Sequence, residues 1–187
     1  MDFLFEESTH TFWVDGQKWP SITQILTAEG FIDPEFYTEY GRQRGSLLHK
    51  VIHWHVIGEL HESSVAPELQ GRYSAWLAFE QDTGFRSIEV EKPAISELYR
   101  FAGIPDHYCR IFGKEAVIDA KSGGKEAWHG LQTAAQEILI GKSLPRYSLH
   151  LKENGKYKLE PHTDRTDRQV FLSAAACWWW KNNHLRR

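Results

Sequence analysis

The fold is decided by the stretch FAGIPDHYCRIFGKEAVIDAK, which occupies residues 101–121. Residues 108–112 and 116–120 are two short runs rich in β-forming and apolar side chains. Gly113-Lys114 separates them, so the pattern predicts two strands joined by a tight turn. Strands of this kind pair in a sheet, and the stretch therefore predicts a β-hairpin at the centre of the fold.

Charged side chains mark the ends of this hairpin. Asp106 stands at the start of the first strand, and Asp119 and Lys121 close the second. Because side chains alternate along a strand, we expect Asp119 and Lys121 on one face and Ala120 in the packing on the other. Two carboxylates beside an ammonium suit a hard divalent cation, which prefers oxygen ligands. The hairpin therefore predicts a metal site at the sheet edge.

The P-D ending at Asp106 and the D-A-K ending at Lys121 resemble the motif of the PD-(D/E)XK, or restriction-endonuclease-like, nuclease superfamily. Gly103 and a helix after the motif make the chain similar to the RecB-type branch, which includes phage-encoded exonucleases. This resemblance implies Mg²⁺ or Mn²⁺ as cofactor. It also implies Asp106, Asp119 and the carbonyl of Ala120 as ligands, with Lys121 catalytic.

A histidine in the first half of the chain fits the same motif set. Residues 34–61 have a helical pattern, and Arg44-Gly45 precedes His49 at the spacing R-G-x-x-x-H. In RecB-type nucleases this histidine is a metal ligand, so the resemblance implies that role for His49. His53 lies four residues further on, and His49 with His53 is also the spacing of a zinc pair. A zinc hydrolase acting on another class of substrate is therefore an alternative.

Three more residues are candidates for the site. Residues 125–140 are predicted to form a helix, and Gln132 matches the glutamine of the Q-x-x-x-Y helix found in the RecB-type branch. The resemblance implies that Gln132 positions Lys121 or the substrate. Gln136 stands where the family has tyrosine. On the predicted strand of residues 85–93, Glu89 and Glu91 are expected on one face, and Glu91 is a further candidate to line the site.

These residues together predict a metal-dependent DNA nuclease, and we expect an exonuclease in recombination, repair or phage DNA processing. A metal lowers the pKa of a bound water, and Lys121 would orient that water and stabilise the charge growing on the phosphate. Attack by water would leave 5′-phosphate and 3′-hydroxyl ends, as the resemblance implies. The other alternative is a catalytically silent nucleic-acid-binding module with a structural metal.

Charge is unevenly distributed along the chain. The net charge is −3, but residues 1–70 contain 4 basic and 11 acidic side chains, whereas residues 141–187 contain 10 basic and 4 acidic. A basic C-terminal quarter can meet phosphates while the acidic part faces away. In RecB-type relatives a helical region packs over the active site, so the resemblance implies a narrow cleft and DNA that is single-stranded or has a free end, with the basic segment following its backbone. An unevenly charged, solvated surface is the alternative explanation.

Composition excludes several classes of protein. The two cysteines, Cys109 and Cys177, cannot form a disulfide framework, a four-cysteine zinc site or an iron–sulfur cluster. No apolar run has the roughly 18 residues that a membrane span needs, and the acidic start MDFLFEE is unlike a signal peptide. We therefore expect no membrane partner and a cytoplasmic location, in a bacterium or a phage-infected host. Gly141-Lys142-Ser143 lacks the rest of a phosphate-binding loop, so no nucleotide triphosphate is expected.

The order of predicted elements favours an α/β fold, with a central mixed sheet flanked by helices on both sides. The resemblance implies that this is a restriction-endonuclease-like core, preceded by an N-terminal helical region. We expect one nuclease domain over residues 1–187, with a hairpin and helices in 1–83 and the catalytic sheet and C-terminal helix in 84–187. Three consecutive tryptophans, Trp178 to Trp180, fall in the last predicted helix. They cannot share one helix face, so most should pack, and one is a candidate for stacking on a base.

Overall fold

The computed structural model describes residues 1–185. Arg186 and Arg187, the last two residues of the basic segment and of the predicted domain, lie outside the described residues. The strands are β1 Phe3–Glu6, β2 Thr11–Val14, β3 Gln17–Trp19, β4 Arg86–Val90, β5 Ala94–Ser96, β6 Phe101–Gly103, β7 His107–Ile111, β8 Lys114–Lys121, β9 Arg146–Leu151 and β10 Tyr157–Pro161. The α-helices are α1 Ile22–Ala28, α2 Glu39–Ile57, α3 Pro67–Thr83, α4 His129–Ile140 and α5 Asp167–His184.

The central sheet has five strands in the order β10-β9-β8-β7-β4. Its neighbours are antiparallel except for β8 and β9, which run parallel. The parallel pairing follows from the connection between these two strands. The helix α4 lies between β8 and β9 in the chain, and it brings the chain back to the end of the sheet where β8 began. The predicted α/β class with a mixed sheet is therefore confirmed.

The predicted hairpin forms, but its turn is one residue earlier than expected. Ile111 pairs with Lys114, which leaves Phe112 and Gly113 as the two turn residues. Both have positive φ, 49° for Phe112 and 74° for Gly113. A two-residue turn with positive φ at both positions matches the right-handed twist of the flanking strands. The turn predicted at Gly113-Lys114 is wrong for this reason, since Phe112 accepts the left-handed conformation.

The segment between the first predicted strand and Asp106 differs most from expectation. Because consecutive strands commonly pair, residues 95–101 would be expected to continue into Asp106 and form a hairpin with the strand predicted over residues 85–93. Instead β4 pairs directly with β7, and β5 and β6 form a separate two-stranded hairpin. The chain leaves the sheet at Glu91, whose φ is 44° and whose N–H donates to the carbonyl of Asp106 at 3.0 Å.

The two faces of β8 bury different partners. Ala116, Ile118 and Ala120 belong to an apolar core built with α2, α3 and the neighbouring strands. The alternate residue Asp119 lies on the other face, where it meets a side chain of α4. The alternation predicted for β8 is confirmed, and it separates an apolar face from a polar one. Helices cover both faces of the sheet, as expected.

A second apolar core joins α1, α4, α5 and β6. The helix α1 begins after Ser21, which forms a reciprocal capping box with Gln24, the arrangement that an S-x-x-Q sequence favours. The predicted N-terminal hairpin is present as β1 and β2, and β3 extends it to three strands, which the sequence did not indicate.

The long helix predicted over residues 34–61 is shorter. A 3-10 turn covers Pro34–Phe36, Thr38 caps α2, and Gly58 ends it with φ 78°. Side-chain bonds tie α2 to α3, because Nε2 of His55 lies 2.7 Å from a carboxylate oxygen of Glu80. Among residues 1–185, no helix combines the length and apolar character that crossing a membrane requires.

Candidate functional site

The polar face of β8 carries an ion pair supported by α4. Nζ of Lys121 lies 2.5 Å from Oδ2 of Asp119 and donates to Oε1 of Gln132 at 2.7 Å. The pair is deeply placed, since the side chain of Asp119 is 1% exposed and that of Lys121 15%. Three predicted site residues are therefore in direct contact. Gln132 accepts a hydrogen bond from Lys121, which agrees with its predicted positioning role.

Gln136 occupies the next turn of α4 and contacts the same carboxylate. Its Nε2 donates to Oδ1 of Asp119 at 2.8 Å, and the residue is 1% exposed. Each oxygen of Asp119 therefore has a fixed partner, Gln136 for Oδ1 and Lys121 for Oδ2. The residue that departs from the family's tyrosine takes a defined place in the site.

Asp106 lies between β8 and α2. Its Oδ2 accepts a hydrogen bond from the N–H of Ala120 at 2.9 Å, which holds the carboxylate beside the strand that carries Asp119. Nδ1 of His49, on α2, is 3.4 Å from the same oxygen. The structure thus brings His49 to Asp106, although the two residues are 57 positions apart in the sequence.

Glu91 reaches the two histidines of α2. One of its carboxylate oxygens lies 2.9 Å from Nδ1 of His53, and the other 3.9 Å from Nδ1 of His49. Glu89 does not share this face: it pairs with Lys92 at 2.6 Å, and the left-handed φ of 44° at Glu91 changes the direction of the chain after Glu89. The register shift between Ser87 and Glu89 and the left-handed backbone of Glu91 re-aim the side chains at the end of β4. Glu91 lies next to the site, whereas the predicted common face of Glu89 and Glu91 is wrong.

The two aspartates have opposite electrostatic surroundings. Burial and then the charge of Asp119 raise the pKa of Asp106 above its usual range. Burial alone would raise the pKa of Asp119 as well, but the ammonium of Lys121 holds it below the usual value. Asp119 therefore stays charged at neutral pH. In the described part of the chain, Asp106 has no ammonium or guanidinium in direct contact that would offset the effect of burial on its pKa. A cation next to both carboxylates would stabilise the charged form of Asp106.

The chemistry of the donors fits Mg²⁺ or Mn²⁺, because both ions accept carboxylate and carbonyl oxygens and Mn²⁺ also accepts imidazole. Within residues 1–185, no three or more His, Cys, Asp or Glu side chains form a ready-made metal-binding group. The ammonium of Lys121 occupies Oδ2 of Asp119, and the N–H of Ala120 occupies Oδ2 of Asp106. The possible metal ligands among the described residues lie near one another at one end of β7 and β8, but they do not form a complete ligand set.

Two aromatic residues support Lys121 and gave no signal in the sequence. The ring centroid of Trp128 lies 4.9 Å from Nζ of Lys121, and Nε1 of Trp128 donates to the hydroxyl of Tyr37 at 3.1 Å. Trp128 precedes α4 in a segment that we predicted to be helix, since α4 starts four residues later than expected. Lys121 therefore has three fixed contacts, with a carboxylate, an amide and an indole.

Two buried histidines near the site are neutral. Burial lowers the pKa of His107 to about 3, and burial followed by the charge of Lys121 lowers the pKa of His129 to about 3. Trp76 and Phe85 pack against the ring of His107. Neither imidazole is protonated at neutral pH, so the positive charge on the polar face of β8 comes from Lys121.

Comparison with known proteins adds no relative. No model of a known protein family matches the chain, and no curated protein matches it significantly. The resemblance to the nuclease superfamily therefore remains one of motif residues only.

Proposed function

We propose that this protein is a Mg²⁺- or Mn²⁺-dependent DNA nuclease built on a restriction-endonuclease-like core. One observation carries the proposal: Asp106, Asp119, Lys121 and Gln132, each implied by the family motif, lie together at one end of β7 and β8, two inner strands of the sheet. Strand alternation alone accounts for the contact of Asp119 with Lys121, whereas the contacts of Asp106 with Ala120 and of Lys121 with Gln132 join separate elements of the fold. The helices before β4 would form the N-terminal helical region expected from the motif.

The roles follow from the contacts. Asp106, Asp119, the carbonyl of Ala120 and His49 would hold the metal, which lowers the pKa of a bound water and shields the phosphate. Lys121 presents a fixed ammonium because Asp119, Gln132 and Trp128 hold it. A preorganised positive charge stabilises the charge that develops on the phosphate during attack, without reorganisation at that moment.

The rival hypotheses explain less. A module that only binds nucleic acid has no need of the buried Asp119–Lys121 pair with two glutamines arranged around it. The zinc hydrolase gains a third donor, because Glu91 lies close to both His49 and His53. It leaves the Lys121 arrangement without a role. Analysis of bound metal together with a DNA digestion assay separates the three hypotheses.

We expect His49→Ala to weaken Mn²⁺ binding and lower cleavage by on the order of tenfold to a hundredfold, with partial recovery in excess metal. Losing one of several ligands weakens a site without removing it. The measurement is the cleavage rate as a function of Mn²⁺ concentration.

His53→Ala is the matched control, since His53 lies on the same helix and contacts Glu91 instead of Asp106. An unchanged metal dependence in His49→Ala would remove His49 from the ligand set. Equal defects in both variants, with zinc in the purified protein, would favour the zinc hydrolase.

We further propose that the enzyme acts from DNA ends. The side chains around the site are enclosed: Asp106 is 13% exposed and His49 31%, and α2 covers the edge beside them. A duplex is difficult to admit sideways into such a site, whereas a single strand can be threaded from its end. The basic hairpin of β9 and β10 is available to follow the backbone.

Linear DNA should therefore be degraded in Mn²⁺ or Mg²⁺ and protected by EDTA, while covalently closed single-stranded circles should survive. The assay compares both substrates with the same enzyme preparation on a gel. Rapid linearisation of the circles by wild-type protein, and not by Asp119→Asn, would identify an endonuclease.

A further inference from the structure

A groove of about 650 Å³ lies between β3, α1 and the end of α5. Its walls include Lys18, Trp19, Gln24, Trp178, Trp179 and Asn183. No residue of the candidate active site lines it. Its volume falls within the range of about 300–1,000 Å³ that is typical of ligand sites in proteins. The groove is therefore large enough for a ligand and separate from the proposed reaction centre.

The walls combine indole rings with amide side chains. Trp19 is buried, and the rings of Trp178 and Trp179 meet edge to face with centroids 5.1 Å apart. Gln24 contributes the N–H groups of its amide, since its Oε1 caps α1 by accepting from the N–H of Ser21, and Asn183 contributes a second amide with a donor and an acceptor. Flat apolar surface beside paired donors and acceptors is complementary to a nucleobase, which has a π-face and a polar edge.

The charge of the groove is opposite to that of the chain segment that forms most of it. Residues 1–70 contain 11 acidic and 4 basic side chains, yet across residues 1–185 no acidic side chain lines the groove. Lys18 contributes a positive charge to the wall. The adjacent Glu29 is 11% exposed and is paired with Lys181 at 2.7 Å. The groove therefore favours a ligand that carries negative charge.

Arg100 gives this rim a second fixed cation. Its guanidinium carbon lies 4.1 Å from the ring centroid of Trp179, and Nη2 donates to Oε1 of Gln17 at 2.8 Å. Nε1 of Trp179 in turn donates to the carbonyl of Arg100 at 2.7 Å. Arg100 has a φ of 54°, an uncommon conformation for a residue other than glycine. The surrounding contacts hold both the indole and the guanidinium in place before any ligand binds.

We propose that this groove binds unpaired bases of a single DNA strand, with the phosphates of that strand at Lys18 and Arg100. The choice of DNA rests on the proposed nuclease function. In a duplex the bases are already stacked and paired, so only an unpaired strand can place a base against the indoles. The groove would hold single-stranded DNA at a point separate from the reaction centre and so favour substrates with a single-stranded region.

The test measures binding without cleavage. A short end-labelled single-stranded oligonucleotide is titrated with the full chain in EDTA, and fluorescence anisotropy and quenching of tryptophan fluorescence are recorded. Ala28→Glu places a carboxylate at an exposed position of the groove wall. Ala176→Glu is the matched control, because Ala176 is an exposed residue of α5 that does not line the groove.

We expect Ala28→Glu to weaken binding by on the order of tenfold and to reduce the quenching, and Ala176→Glu to leave both unchanged. An oligonucleotide of the same length without bases should bind wild-type protein about tenfold more weakly than the intact one. Equal binding of intact and abasic strands would overturn the proposal. So would equal binding by wild-type protein and Ala28→Glu, or an equal loss in both variants.

Two further results distinguish binding of a DNA strand from binding of a free nucleotide, and test the groove separately from the nuclease activity. If a free deoxynucleoside monophosphate competes as well as the oligonucleotide, the occupant is a nucleotide and the strand proposal is wrong. Cleavage is assayed separately with Mn²⁺. If Ala28→Glu cleaves DNA and binds the oligonucleotide as well as wild-type protein does, the groove proposal is wrong and the nuclease proposal stands. If binding is lost in Ala28→Glu but wild-type protein shows no metal-dependent cleavage, binding in the groove is supported and the nuclease proposal is wrong.

Discussion

Asp119→Asn is expected to lower DNA cleavage by on the order of 10³-fold or more, which corresponds to several kcal/mol of lost transition-state stabilisation. The change keeps the volume of the side chain and removes the charge that both the metal and Lys121 require. The measurement is the single-turnover cleavage of linear DNA in Mn²⁺.

The same substitution is expected to destabilise the fold. Asp119 is 1% exposed and forms the ion pair with Lys121, so removing its charge leaves an ammonium that is 15% exposed without a countercharge. Breaking a buried ion pair by changing one partner lowers the free energy of unfolding by about 3 kcal/mol. We expect a smaller loss here, because Lys121 is partly exposed and water can solvate its ammonium. Urea unfolding measures the loss, and circular dichroism verifies that the purified variant is folded.

Asp15→Asn is the matched control for this experiment. Asp15 is exposed and has a φ of 48°, a conformation that asparagine also accepts. We expect cleavage and stability close to those of the wild type. Cleavage by folded Asp119→Asn at the wild-type rate would show that the active site has been assigned to the wrong residues.

Lys121→Ala is expected to lose turnover by about 10²–10³-fold while keeping metal affinity. The lysine is proposed to act on the water and the developing charge, and not as a ligand. Its removal frees Oδ2 of Asp119 from an ion pair of 2.5 Å, so a metal meets no competing cation there. Calorimetric titration with Mn²⁺ and a cleavage assay, both on the same preparation, measure the two properties.

Lys125→Ala is the control, because Lys125 is exposed and pairs with Glu160 outside the site. We expect it to behave as wild type in both assays. Loss of metal binding along with activity in Lys121→Ala would give Lys121 a structural role instead of a catalytic one.

Local rules were sufficient for much of the fold and for the centre of the site. Strand alternation placed Asp119 and Lys121 on one face of β8, and the same-face spacing of Gln132 and Gln136 along a helix placed both on the side that meets them. The cap at Ser21 followed from its side chain and the glutamine three residues later. Each of these features depends on residues that are close together in the chain.

The features that were missed depend on tertiary contacts or on rare backbone states. Positive φ at Phe112 shifted the hairpin turn, and positive φ at Glu91 ended β4 and separated Glu91 from Glu89. Residues other than glycine rarely adopt positive φ, so the identities of Phe112 and Glu91 did not indicate these conformations. Trp128 reaches Lys121 from a segment that we predicted to be helix but that precedes α4, and only the folded chain shows this contact.

The division of the site between two parts of the chain has a consequence for the order of folding. The bonds from α4 to β8 close loops of only 11 and 17 residues, whereas the His49–Asp106 contact joins distant parts of the chain. Short loops cost less entropy to close, so contacts within β8 and α4 should form at an earlier stage. The half of the site that holds Lys121 can therefore assemble while α2, with His49, is still undocked. Local opening of α2 would then expose Asp106 and the end of β8 without unfolding the sheet, and the amide protons of α2 should exchange before those of β8.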